Sequence, residues 1–87
     1  MSQDKTTLFD VKEIDTEMTR QVLKEVYEAL EERGYNPTNQ IVGYLISGDP
    51  GYISSYKDAR TKIQEIYRAK IVEILLMTFH KNNKWNI

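Results

Sequence analysis

Residues 34–50 read GYNPTNQIVGYLISGDP, and the punctuation inside this run decides the fold. Gly34 is a helix stop, because glycine takes the left-handed backbone that closes a helix without a Cβ clash. Asn36-Pro37 is a start: asparagine accepts from the free amides of a first turn, and proline's fixed φ suits the first helical position. The helix predicted between them and Gly48 runs from Pro37 to Ser47 and buries Ile41, Val42, Leu45 and Ile46. Asp49-Pro50 is a third start of the same kind. Gly51 and Ser54-Ser55 follow so closely that only a turn or two of helical connector fits there.

Working back from Gly34, apolar residues recur at helical spacing through Leu30, Tyr27, Val26, Leu23, Val22 and Met18, which predicts a helix to Arg33 capped by Asp15 or Thr16. Residues 1–14 are polar, lack that period and read as an N-terminal arm. Working forward, Ser55 with Asp58 three residues later has capping-box spacing, and Ala59, Ile63, Ile66 and Tyr67 form the inner face of a last helix. That helix continues through Ile71, Val72, Ile74, Leu75, Leu76, Met77 and Phe79, interrupted only by Glu73 and Thr78. A helix apolar nearly all round needs burial on several sides, which so short a chain can hardly supply. Pairing with a second copy is the simplest remedy, and two-fold dimers are the commonest oligomers. Ile71, Ile74, Leu75 and Phe79 are the candidate interface, and 83–87 reads as a frayed tail. A strand over 71–79 has no period-2 partner elsewhere. The expectation is an all-α domain over 15–82, of about four to five helices, in an intertwined or closely packed homodimer.

Composition points the same way. The chain has 87 residues, 40% of them hydrophobic, which suffices for one small core. With no cysteine and a single histidine, His80, neither disulfides nor a structural zinc site can add to that core. No stretch approaches the ~20 apolar residues of a membrane span, and residues 1–10 contain no apolar run of signal-peptide length, so a cytoplasmic, soluble protein without membrane insertion is expected. Charge is unevenly spread: residues 1–53 carry 5 Lys/Arg and 10 Asp/Glu, net −5, and residues 54–87 carry 7 and 3, net +4. Such a split can guide a basic surface to an acidic partner or to another copy of the chain, although an ordinary solvated surface would read the same.

No catalytic constellation is legible. His80 stands near a helix end with no carboxylate placed to orient it, and Glu25, Glu28, Glu31 and Glu32 read as a solvated helix face. The glycines match neither a Walker A loop nor a dinucleotide fingerprint. Gly43 lies inside a helix, where it costs up to about 1 kcal/mol relative to alanine, and this predicts close approach of another backbone. No metal and no cofactor is expected. Two non-enzymatic alternatives remain, a helical nucleic-acid-binding module and a purely structural dimer. The former is disfavoured because residues 37–47, the would-be recognition helix, contain no Lys or Arg for phosphate contacts.

The block GYNPTNQIVGYLISGDP, continued by Tyr52, Ile53 and Lys57-Asp58-Ala59-Arg60, is similar to the most distinctive part of the IreB/ReoM family of small cell-wall regulators, with a looser likeness from Asp4-Lys5-Thr6 to about Asn83. The resemblance implies a non-enzymatic, all-helical homodimer in the cytoplasm of Gram-positive bacteria. It also implies phosphorylation by a membrane Ser/Thr kinase with extracellular PASTA domains, at an arm threonine in an Asp-x-Thr context. Asp4-Lys5-Thr6 fits that context, with Thr7 as second choice. The function implied is a switch on peptidoglycan synthesis and cell-wall antibiotic resistance, in some members through Clp-dependent degradation of the enolpyruvyl transferase MurA. Arg60, Lys62 and Arg68 are the expected contacts for a protein partner or for the phosphorylated arm. Where the family usually has Pro-Arg-His this chain has Ser54-Ser55-Tyr56, and the family's charged stretch before the last helix becomes residues 64–70, so some expected cations are absent.

Overall fold

The computed structural model describes residues 11–83, which form four α-helices and two single 3-10 turns with no strand among them. Helix α1 spans Val11–Glu32, α2 Pro37–Ser47, α3 Ala59–Ile63 and α4 Arg68–Asn83, with 3-10 turns at Pro50–Tyr52 and Tyr56–Asp58. The all-α expectation holds.

The central block forms as its punctuation dictates. Gly34 adopts φ +89°, its N–H donates to Glu31 O at 3.0 Å, and the Tyr35 N–H donates to Leu30 O at 3.0 Å. These two bonds satisfy two of the last free carbonyls of α1. Asn36 Oδ1 accepts from the Asn39 N–H at 3.0 Å with Pro37 in the first turn, and Gly48 closes α2 at φ +77°. Asp49 caps the next turn by accepting from Gly51 N–H at 2.8 Å.

The outer segments depart from expectation. Among the described residues α1 already runs from Val11, so Asp15 and Thr16 lie inside it and do not cap it, and residues 11–14 of the expected arm are helical. No glycine or proline interrupts residues 11–33, and extending an existing helix is far easier than nucleating one. The inner face of α1 is also rotated: Thr19, Val26, Ala29 and Leu30 are buried, Val22 and Leu23 partly so, while Met18 and Tyr27 are exposed. In α2, Ile41 and Tyr44 are buried, whereas Val42 and Ile46 face outward, Ile46 with 80% of its surface exposed.

Ser55 forms no cap. Ser54 Oγ accepts from the Tyr56 N–H at 3.1 Å instead, and Lys57 and Asp58 take left-handed φ of 51° and 62°. Each such non-glycine residue costs roughly 1–2 kcal/mol. Contacts with the end of α1 hold the turn: Lys57 pairs with Glu32 at 2.8 Å, and Arg33 lies over the Tyr56 ring at 5.7 Å.

The single long helix expected after Tyr56 is two helices. Glu65 N–H donates to Lys62 O at 3.0 Å and Ile66 N–H to Ile63 O at 3.4 Å, tightened bonds that end α3. The break places Ile66 and Ile71 in one core with Val26, Leu30, Ile41, Tyr44, Ile53, Ala59 and Ile63, and it turns Tyr67, expected inside, outward to 79% exposure. Burial of each large aliphatic side chain contributes roughly 1.5–3 kcal/mol.

Candidate functional site

Two surfaces follow from this packing, one apolar and one cationic. The apolar one begins where α2 ends and α4 starts. The Arg68 guanidinium donates from Nη1 to Leu45 O at 3.0 Å and lies so close to Gly48 that a Cβ there would stand 3.0 Å from Cζ. This contact brings Ile46 and Tyr67 to the same end of the molecule. From there α4 presents Val72, Leu75, Leu76, Met77 and Phe79 outward. So much exposed aliphatic and aromatic surface on one short helix marks an interaction face.

The four candidate interface residues divide on it. Ile71 is fully buried and Ile74 nearly so inside the subunit, whereas Leu75 and Phe79 remain 45% and 53% exposed. Once α4 has buried Ile71 and Ile74 against the rest of the chain, Leu75 and Phe79 stay outward, joined by Val72 and Leu76. The apolar run from 71 to 79 was the signal for Val72 and Leu76, but phase alone did not say which side the monomer would use.

Gly43 does sit at a close approach, but to a side chain and not to a backbone. The Tyr52 ring lies across it, with Cε1 2.9 Å from where a Cβ would be. Gln40, unremarkable in sequence, accepts from the Ser54 N–H at 2.9 Å through Oε1 and ties α2 to the connector.

The three cations expected to contact a partner all serve the fold. Arg60 donates from Nε to Ile53 O at 2.8 Å, Lys62 stands 3.6 Å from Glu25, and Arg68 caps α2. The Lys62–Glu25 pair faces solvent. The Gln21 amide at 2.9 Å, aided by Lys62, holds the Glu25 carboxyl below its ordinary range. The hydrogen bond and charge of Lys57 do the same for Glu32, and Glu32 in turn raises the Lys57 ammonium. Thr6 and Thr7 lie outside the described residues.

No nucleophile and base are brought together among the described residues. His80 lines a shallow groove with Arg20, Met77, Thr78, Lys81 and Asn82. No group of three or more His, Asp or Glu among the described residues could hold a metal ion, and no described helix is long and apolar enough to cross a membrane. What the surface offers is docking by apolar contact and by charge. Comparison with known families places the chain: residues 4–81 match the family model IreB, described as IreB regulatory phosphoprotein.

Proposed function

The chain belongs to the IreB family of regulatory phosphoproteins, and on that premise we propose that it is a non-enzymatic, cytoplasmic, homodimeric switch on peptidoglycan synthesis and cell-wall antibiotic resistance. A PASTA-domain Ser/Thr kinase phosphorylates Thr6, or Thr7 as the alternative. The unmodified dimer binds a protein partner and the phosphate changes that binding, with control of Clp-dependent MurA turnover as the output.

The observation that carries this reading is the extent of the family match. It begins at residue 4, so it includes Asp4-Lys5-Thr6-Thr7 together with the helical domain. A phosphate adds nearly two negative charges and three strong acceptors to whatever segment bears it. The outward face of α4 supports the dimer, since Val72, Leu75 and Leu76 each keep about half of their surface exposed.

The test is intact mass and site mapping of the protein purified from its native cells, grown with and without a cell-wall antibiotic. A phosphate on Thr6 or Thr7 whose occupancy responds to the drug is the expected result. An arm unmodified under both conditions removes the switch. Identical partner binding and identical cell behaviour of Thr6→Ala and Thr6→Glu would overturn the role of Thr6.

A further inference from the structure

The described cations are nearly all committed. Lys24, Lys57, Lys62 and Lys70 pair with Glu28, Glu32, Glu25 and Glu73. Arg60 and Arg68 donate to backbone carbonyls, and Arg33 lies over Tyr56. Among the cationic side chains described, Arg20 and Lys81 have no such partner. They stand 61 residues apart in sequence, yet they line the same groove between α1 and the last turns of α4. The groove has a volume of about 600 Å³ and also offers the Thr78 hydroxyl, the Asn82 amide and the apolar side of Met77. Two uncommitted cations with two neutral donors at one opening form a site for a small, multiply charged anion, since guanidinium and ammonium groups make short, charge-assisted bonds to phosphate oxygens.

We infer that this groove is the receptor for the phosphorylated arm of the same chain. The inference rests on the phosphothreonine reading above and adds to it where the phosphate docks. Chain length permits it. Arg20 lies nine residues into α1 from Val11, or about 13.5 Å along the axis. The five-residue connection from Val11 back to Thr6 spans up to ~17 Å. Nine residues at 3.6 per turn also carry Arg20 half a turn round α1 from Val11, so the connection must cross the helix as well as run back along it; Thr6 reaches the groove only when extended and with the length of the Arg20 side chain to meet it, and Thr7, at most ~14 Å from Val11, is the poorer fit. Docking takes Arg20, Lys81 and the arm out of reach of an external partner at the same time, so a kinase signal written on the arm is read on the surface of α4. Arg60, Lys62 and Arg68 remain at their fold-stabilising posts.

The experiment uses the full-length chain carrying phosphothreonine at position 6, installed during translation, and follows backbone amide resonances. Phosphorylation is expected to shift Arg20 and residues 78–82, and to leave 57–68 unmoved. Arg20→Ala/Lys81→Ala should abolish those shifts. It should also weaken a phosphothreonine peptide of residues 1–12, titrated against the unmodified chain, on the order of tenfold. Lys24→Ala/Lys70→Ala, which removes two committed cations, should change that affinity less than about twofold. An unchanged amide spectrum for Arg20→Ala/Lys81→Ala before peptide addition separates lost binding from lost folding.

Shifts confined to 57–68, or peptide affinity indifferent to Arg20 and Lys81, overturn the site. Equal binding of inorganic phosphate and of the peptide overturns it as an arm receptor. If cells never phosphorylate the arm but the installed phosphate docks, the switch reading fails while the groove stands. If cells phosphorylate Thr6 and the groove stays silent, the groove fails and the switch stands.

Discussion

Residues 34–53 and residues 54–83 are both helical and both rest on the same core, yet they are held by different kinds of interaction. In the first region the helix ends are closed mainly by their own neighbours: Gly34 and Gly48 in left-handed conformation, Asn36 and Asp49 accepting from amides two or three residues on, with Arg68 adding one bond to Leu45 O. In the second, Lys57 and Asp58 take left-handed φ without being glycine, Ser55 caps nothing, and α3 and α4 divide where no glycine or proline marks a break. What holds that region comes from elsewhere in the chain: Glu32 and Arg33 on the turn, Leu45 O under Arg68, and the core under Ile66 and Ile71. Its outward side, from Tyr67 to Phe79, is left apolar. Local closure fixes where an element ends; closure at a distance fixes which of its faces turns inward.

The sharpest way to break this comparison is on α4 itself. Ile71→Ala should destabilise the subunit by about 2–5 kcal/mol in chemical denaturation, as a deleted core side chain does. Leu75→Ala, just over one turn further on, should alter monomer stability by no more than about 0.5 kcal/mol, and should instead weaken self-association measured by sedimentation. Equal costs at the two positions would mean that α4 has no division between an inner and an outer face.

Within the first region, Asn36→Ala should cost about 1 kcal/mol through loss of the cap, read as a lower denaturation midpoint with an unchanged slope. Gly43 gives a finer test. In the native background Gly43→Ala meets the Tyr52 ring, so any gain in helix propensity is offset by displacement of the ring. In a Tyr52→Ala background the same change should stabilise by up to about 1 kcal/mol. A double-mutant cycle that showed no coupling would deny the contact.

The smallest effect belongs to the turn. Glu32 has its carboxyl lowered by Lys57, so the pair's contribution is present above the carboxylate's unfolded pKa and is lost as pH falls through its folded value. Lys57 is raised by the same contact and stays charged throughout that window. The stability difference between the native chain and Lys57→Ala should therefore shrink as the solution is acidified. A carboxyl titration of Glu32 by NMR should return to the ordinary range in Lys57→Ala.

Legibility in the sequence followed the same division. α2 was readable residue by residue at both ends, because capping chemistry acts within three or four positions. Its buried face was not: the apolar set Ile41, Val42, Leu45 and Ile46 fits helical spacing, but the partners at hand cover Ile41 and Tyr44, leaving Ile46 exposed. Arg60, Lys62 and Arg68 looked like an uncommitted cationic surface, because nothing in a linear string shows that Ile53 O, Glu25 and Leu45 O stand beside them. Arg20 and Lys81, 61 residues apart, could not be paired by any local pattern.

What the sequence determined by itself is the helical class, the ends of α2, the connector after Gly48 and the family signature, all carried by residue type and short-range spacing. The tertiary structure alone decided where the last helix breaks, which side of α4 turns inward and which cations stay uncommitted. Those outcomes depend on contacts between residues far apart in the chain, and such contacts override local preference wherever burial or a distant hydrogen bond outweighs the few tenths to one kcal/mol per residue that propensity supplies.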